Sequence, residues 1–121
     1  MVEHIFRQSY PVSTASVTLT LFPGDRQQCV ARVRINGHPV PEQPREPRRY
    51  ALGNGADLAG KTLSIESRVT PASPGPGARA EITYALEGGR EDKAFQQEAR
   101  REGDADDVAF LALFTLVQPP I

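Results

Sequence analysis

Hydrophobic and polar positions along this chain alternate with period two far more often than with the period of a helix, which predicts half-buried β-strands joined by turns. In residues 16–22, Val17, Leu19 and Leu21 fall on one face and Ser16, Thr18 and Thr20 on the other. In residues 28–35, Cys29, Ala31, Val33 and Ile35 point one way, Arg32 and Arg34 the other. Pro23-Gly24-Asp25 supplies a turn between them, so the two runs are expected as antiparallel strands joined by a short loop. Residues 62–70 alternate on Leu63, Ile65 and Val69, and residues 80–86 on Ala80, Ile82, Tyr84 and Leu86. Residues 3–10 hold Ile5, Phe6 and Tyr10 without clean alternation and are expected as an edge strand, and 48–52 as a short strand.

One run has no polar face. Val108-Ala-Phe-Leu-Ala-Leu-Phe-Thr-Leu-Val117 carries Thr115 as its sole polar side chain. It is too short to span a bilayer as a helix, which needs about 20 residues. Its Phe, Val and Thr content selects a strand over a buried helix. The expectation is a central strand with both faces covered, against which the rest of the chain packs. Residues 91–102 give conflicting signals. Their Glu, Lys, Ala, Gln and Arg favour a helix, with Gly103 as its C-terminal cap. A helix there has only Phe95, Ala94 and Ala99 to bury, whereas a strand places Phe95, Gln97 and Ala99 on one face. An edge strand pairing with 108–117 through the acidic loop is the preferred reading, and a single short helix the alternative. Together the runs predict an all-β fold, an antiparallel β-sandwich of seven or eight short strands in one domain covering residues 1–121.

Composition narrows the class further. A chain of 121 residues with 39% hydrophobic and 24% charged residues suits one globular domain. The 11 Pro and 10 Gly suit many short elements joined by turns. A net charge of −1 supplies no bulk attraction to nucleic acid or to anionic membranes. One cysteine excludes a disulfide scaffold within the chain. The N-terminal residues lack the apolar stretch of a signal peptide and no run reaches transmembrane length, so a cytoplasmic location is expected.

Four stretches invite a chemical reading. Gly55-Ala-Asp-Leu-Ala-Gly60-Lys61-Thr62 matches the phosphate-binding pattern G-x-x-x-x-G-K-[ST], in which Lys61 would reach the phosphates and Thr62 a magnesium ion. That chemistry needs a helix starting at the Lys-Thr, and here a strand pattern follows instead. A turn with Leu58 and Leu63 in the core and Gly60 turning the backbone is therefore expected. The acidic loop holding Asp104, Asp106 and Asp107 offers oxygen ligands of the kind calcium takes, though without the spacing of a calcium hand. Arg45, Arg48 and Arg49 mark a Pro-rich loop inside a basic stretch. Residues 26–50 carry six Arg against Glu42 and Glu46, whereas residues 87–107 hold eight acids against four bases. Few aromatics accompany the basic stretch, which argues against nucleic acid. His4, His38 and Cys29 complete no zinc site, and Cys29 falls on a buried strand face as a small hydrophobe.

These features point to a non-enzymatic interaction module that binds a protein partner or a copy of itself, with Arg45, Arg48 and Arg49 as contact residues. No cofactor is expected. The alternative is a sandwich binding a small ligand or carbohydrate, with calcium as an optional cofactor. A nucleotide binder using residues 55–62 ranks last.

Overall fold

The alternating runs close into two β-sheets packed face to face. The structure, a computed structural model, describes residues 3–45, 48–73, 77–102 and 106–118. In chain order the elements are β1 (Glu3–Pro11), β2 (Ser16–Pro23), β3 (Gln28–Ile35), β4 (His38–Pro39), β5 (Arg49–Asn54), α1 (Gly55–Leu58), β6 (Thr62–Thr70), β7 (Arg79–Glu87), β8 (Lys93–Arg100) and β9 (Val108–Val117). One sheet has the order β1-β9-β6-β3-β4 and the other β5-β2-β7-β8. Neighbouring strands are antiparallel except β1 and β9, which run parallel. The fold is an all-β sandwich, as the periodicity predicts.

Period-two alternation places every second residue inward. Val17, Leu19 and Leu21 of β2 and Ala80, Ile82, Tyr84 and Leu86 of β7 form the floor of the core. Leu63, Ile65 and Val69 of β6 and Val108, Phe110, Ala112, Phe114 and Leu116 of β9 form its roof, in one continuous cluster. Each fully buried large side chain contributes about 1.5–3 kcal/mol relative to exposure. Phe114 packs between Tyr84 and Phe95, with ring centroids 5.8 and 5.3 Å away.

Several expectations are corrected. The described residues form nine strands, the addition being the two-residue β4, which Asn36 and Gly37 fold back on β3 with φ values of 47° and 83°. This tight turn has the positive φ at both central residues that a two-residue hairpin requires. Strands β2 and β3 are not neighbours: the connection after Pro23 carries the chain from one sheet to the other. An arch and a hairpin satisfy the same alternation, so the pattern does not choose between them. Here Gly24 and Gln27 bond to Glu81 of β7, which holds the loop across the sandwich edge. Residues 91–102 contain no helix; β8 is an edge strand with Phe95, Gln97 and Ala99 inward, but it pairs with β7, not with β9. The one described helix is the single turn α1, N-capped by Asn54, whose Oδ1 accepts from Asp57 N at 3.0 Å. Strand β9 is interior in its sheet but covered on one face only: Leu111, Leu113 and Val117 point outward and are half-buried, with no described element over them.

Candidate functional site

The phosphate-loop match is a structural closure at one end of the sandwich. Lys61 leads into strand β6, and no helix follows it. The amides that would cradle phosphate are spent inside the fold. Gly55 N donates to Ala15 O, Ala59 N to Gly55 O, Gly60 N to Leu116 O and Lys61 N to Leu58 O, while Thr62 N donates to Asn36 Oδ1. Leu58 and Leu63 are buried and Gly60 has φ 86°, as the turn reading expects. Gly55 lies against the backbone, since a Cβ there would sit 1.7 Å from the Ser13 carbonyl oxygen.

The other chemical candidates do not converge. Asp104 lies outside the described residues; Asp106 is exposed and Asp107 half-buried. The Arg101 guanidinium donates to the Asp106 carbonyl at 2.9 Å. Among the described residues no three His, Cys, Asp or Glu side chains come together as a metal site would require. None of the described helices is long and apolar enough to cross a membrane. Cys29 is half-buried against the core, and burial pushes its thiol up, with the Arg48 guanidinium opposing that shift. A depression lined by Val12, Ser13, Thr14, Gly55, Ala56, Ala59 and Gln118 lies beside α1 and has no charged or aromatic side chain in its described lining.

Arg45, Arg48 and Arg49 differ in placement and exposure. Arg45 is exposed in the loop, whereas Arg48 turns inward, its guanidinium meeting Cys29 Sγ and, at 3.5 Å, the Cys29 carbonyl. Arg48 takes φ 67°, its amide held by the Glu42 carboxylate and its carbonyl accepting from Leu21 N at 2.9 Å. Arg49 is half-buried in β5, in register with Thr20. Residues 40–45 with Arg48 and Arg49 thus form a strap across the β3–β5 flank. Val40 N bonds Val33 O at 2.8 Å and Gln43 N bonds Arg49 O at 2.9 Å.

What the tertiary structure assembles instead is the outer face of the five-stranded sheet. Strand register sets Ile5, Leu111, Glu66 and Arg32 in one row across β1, β9, β6 and β3. Arg7, Leu113, Ser64 and Arg34 form the next row, and Glu3, Ala109, Arg68 and Val30 the one on the other side. Ile5 is 56% exposed and Val30 76% exposed. Ala109, Leu111 and Leu113 of β9 with Ile5 of β1 therefore form an apolar band bordered by charge, mostly arginine. The opposite face of the molecule carries Thr18, Thr20, Thr83, Ala85, Ala94 and Gln96 outward, an ion-paired cluster of Arg79, Glu81 and Glu98 at one end, and the exposed Phe22. The signal for the apolar band was present in the sequence, in the unbroken apolarity of 108–117, but the neighbours that complete it come from β1 and β3.

Behind the β1–β8 flank lies a buried polar relay. The Tyr84 hydroxyl donates to Gln97 Oε1 at 2.9 Å, and Gln97 Nε2 donates to the His4 carbonyl at 2.7 Å, tying the edge strands of the two sheets together. Phe6 of β1 and Phe95 of β8 meet over it with centroids 6.1 Å apart. Compared with protein-family models, with curated proteins and with solved structures, the chain matches none.

Proposed function

We propose that this chain is a non-enzymatic protein-interaction module whose contact surface is the outer face of the five-stranded sheet together with its β1 border. One observation carries the reading: Leu111, Leu113 and Ile5 form an apolar band on a sheet face that no described element covers. Apolar residues in contiguous rows, rimmed by charge, are the composition of a binding face rather than of a solvated one. Arg7, Arg32, Arg34 and Arg68 around the band favour a partner that presents carboxylates, and salt weakens such steering as the Debye length shrinks from about 10 Å at 0.1 M to about 3 Å at 1 M. Part of the basic stretch in residues 26–50 thereby contributes through Arg32 and Arg34 on β3, while Arg48 serves the strap.

The test pairs Leu111→Arg with Leu113→Glu, each chosen to suit its row neighbours Glu66 and Arg7, so that the monomer keeps its fold. The variant should show an unchanged circular dichroism spectrum. It should also lose both concentration-dependent mass in sedimentation and retention of partner protein from the native extract. If wild type and variant behave alike in both assays, the reading fails. The ligand-binding alternative makes a separate forecast, because a native-state ligand must stabilise: millimolar calcium or sugar would then raise the melting temperature by several degrees.

A further inference from the structure

Resting on that interaction reading, we infer that the partner at the β1 border is a second copy of this chain, joined by antiparallel pairing of β1 with the partner's β1 about a two-fold axis at Ile5. Edge strands are templates for further pairing unless they are blunted. The strap bonds to β5 and β3 on one flank, and β8 carries Lys93, Glu98 and Arg100, with Arg79 bridging Glu81 and Glu98 beside it. Strand β1 has no strap between Glu3 and Ser9, and its two charged side chains there, Glu3 and Arg7, are opposite in sign; Pro11 closes its far end.

The direction of its peptide groups follows from the ladder. Pro11 is in register with Val117, and Val12 N donates to Val117 O at 2.9 Å, so the even-numbered peptide groups face β9. The odd-numbered ones face away: the Pro11 carbonyl accepts from Arg90 N at 3.1 Å, and Ser9 N reaches only the side chain of Gln8, at 3.3 Å. Glu3, Ile5 and Arg7 therefore offer their amides and carbonyls to the outside. Their side chains lie together on the apolar outer face of the sheet, in the order acid, isoleucine, base.

That order is its own complement. With Ile5 opposite the partner's Ile5, antiparallel register sets Glu3 opposite the partner's Arg7 and Arg7 opposite the partner's Glu3. All three are then hydrogen-bonded pairs, which exchange both backbone bonds. The exposed Ile5 side chains meet at the axis between two ion pairs. On the inner side, His4 falls opposite the partner's Phe6, which covers the half-buried edge of the aromatic cluster. The five-stranded sheet becomes continuous across the dimer, and the apolar band along β9 extends with it. A closed two-fold contact of this type stops at two copies, because each β1 edge is consumed.

Sedimentation equilibrium of the full chain should show a reversible dimer. Arg7→Glu alone and Glu3→Arg alone should each weaken it about tenfold or more, since each replaces two attractive cross-strand pairs by two repulsive ones. Glu3→Arg combined with Arg7→Glu should restore it, and the two single variants should pair with each other when mixed. Ile5→Cys in a Cys29→Ser background should form a covalent dimer on mild oxidation, because opposed residues in a bonded pair lie about 5.5 Å apart, within disulfide reach. Thr20→Cys, on the other sheet, should not. A dimer indifferent to all these changes overturns β1 pairing and leaves the interaction reading standing. A chain that is monomeric to about 1 mM, yet loses its extract partner on Leu111→Arg with Leu113→Glu, does the same. A monomer that also retains nothing from the extract overturns both.

Discussion

The two flanks of this sandwich solve one problem in opposite ways. Where β3, β4 and β5 meet, residues 40–45 together with Arg48 and Arg49 bond to both sheets. Val40 and Gln43 take backbone acceptors on each side, and the Arg48 guanidinium reaches in to Cys29. Where β1 and β8 meet, the β7–β8 turn reaches β1 only at its Pro11 end, through Arg90 N; along Glu3–Ser9 the sheets are joined from within by Gln97 bonding the His4 carbonyl and by the Phe6–Phe95 ring contact. The closed flank spends its edge groups on its own chain. The open flank leaves those of β1 available beside an apolar face. Sheet edges are therefore not equivalent merely because they are edges: where the chain supplies a strap the edge is structural, and where it does not the edge can serve a partner.

The largest expected effect that separates the flanks lies in the aromatic cluster behind the open one. Phe114→Ala should cost about 3–5 kcal/mol in urea unfolding, the range for a fully buried phenylalanine. Phe6→Ala, half-buried at the rim, should cost clearly less and should weaken association as well. Equal costs for the two would mean that the β1 flank is closed in solution.

Alkali tests the same region. Burial raises Tyr84, Tyr50 and Tyr10 above their ordinary value, with Tyr84 shifted furthest. Above about pH 10 the unfolded chain has released tyrosine protons that the folded chain still holds. This contribution to stability is therefore full below pH 10 and is lost as pH rises towards the folded-state values. Denaturant midpoints measured from pH 8 to 11 should fall above pH 10. Tyr84→Phe, behind the open flank, should flatten that fall more than Tyr50→Phe at the closed one.

A smaller effect concerns the relay. Gln97→Ala strands the buried Tyr84 hydroxyl, at about 1–3 kcal/mol. Because it also removes the bond that ties the His4 carbonyl to β8, amide exchange in β1 should accelerate while β3 is unaffected. Adding Tyr84→Phe should recover part of the loss, whereas a purely additive double variant would remove the relay from the account. On the closed flank, Arg48 combines an inward guanidinium with φ 67°. Arg48→Gly should therefore be less damaging than Arg48→Ala by about 1 kcal/mol, the cost of a Cβ in the left-handed region. The smallest effect belongs to neither flank: Lys61→Ala should change stability by no more than about 0.5 kcal/mol, and calorimetry should show no ATP or GTP binding by either form.

Much of this architecture is local and was legible in the residues. Alternation in 16–22, 28–35, 62–70 and 80–86 fixes which side chains enter the core, because successive strand residues must point to opposite faces. The buried face of β8 follows from Phe95, Gln97 and Ala99 despite the helix-favouring composition, since a helix there had too little to bury. The turn at Gly60 and the strand after Lys61, where a phosphate loop would start a helix, were likewise readable. What the residues do not encode locally is which strand lies beside which. Alternation is the same for an arch as for a hairpin, so β2 and β3 fall in different sheets and β8 pairs with β7. The parallel partnership of β1 and β9 joins segments from opposite ends of the chain. The inward turn of Arg48 depends on a cysteine carbonyl brought near only by packing. Most consequential is that, among the described residues, β9 is covered on a single face. The sequence determined that both faces of that strand are apolar; only tertiary structure decided that the chain's own layers bury one of them, because the second sheet packs against a single side and the outer rows are completed by Ile5, Glu66 and Arg32 from strands far apart in sequence.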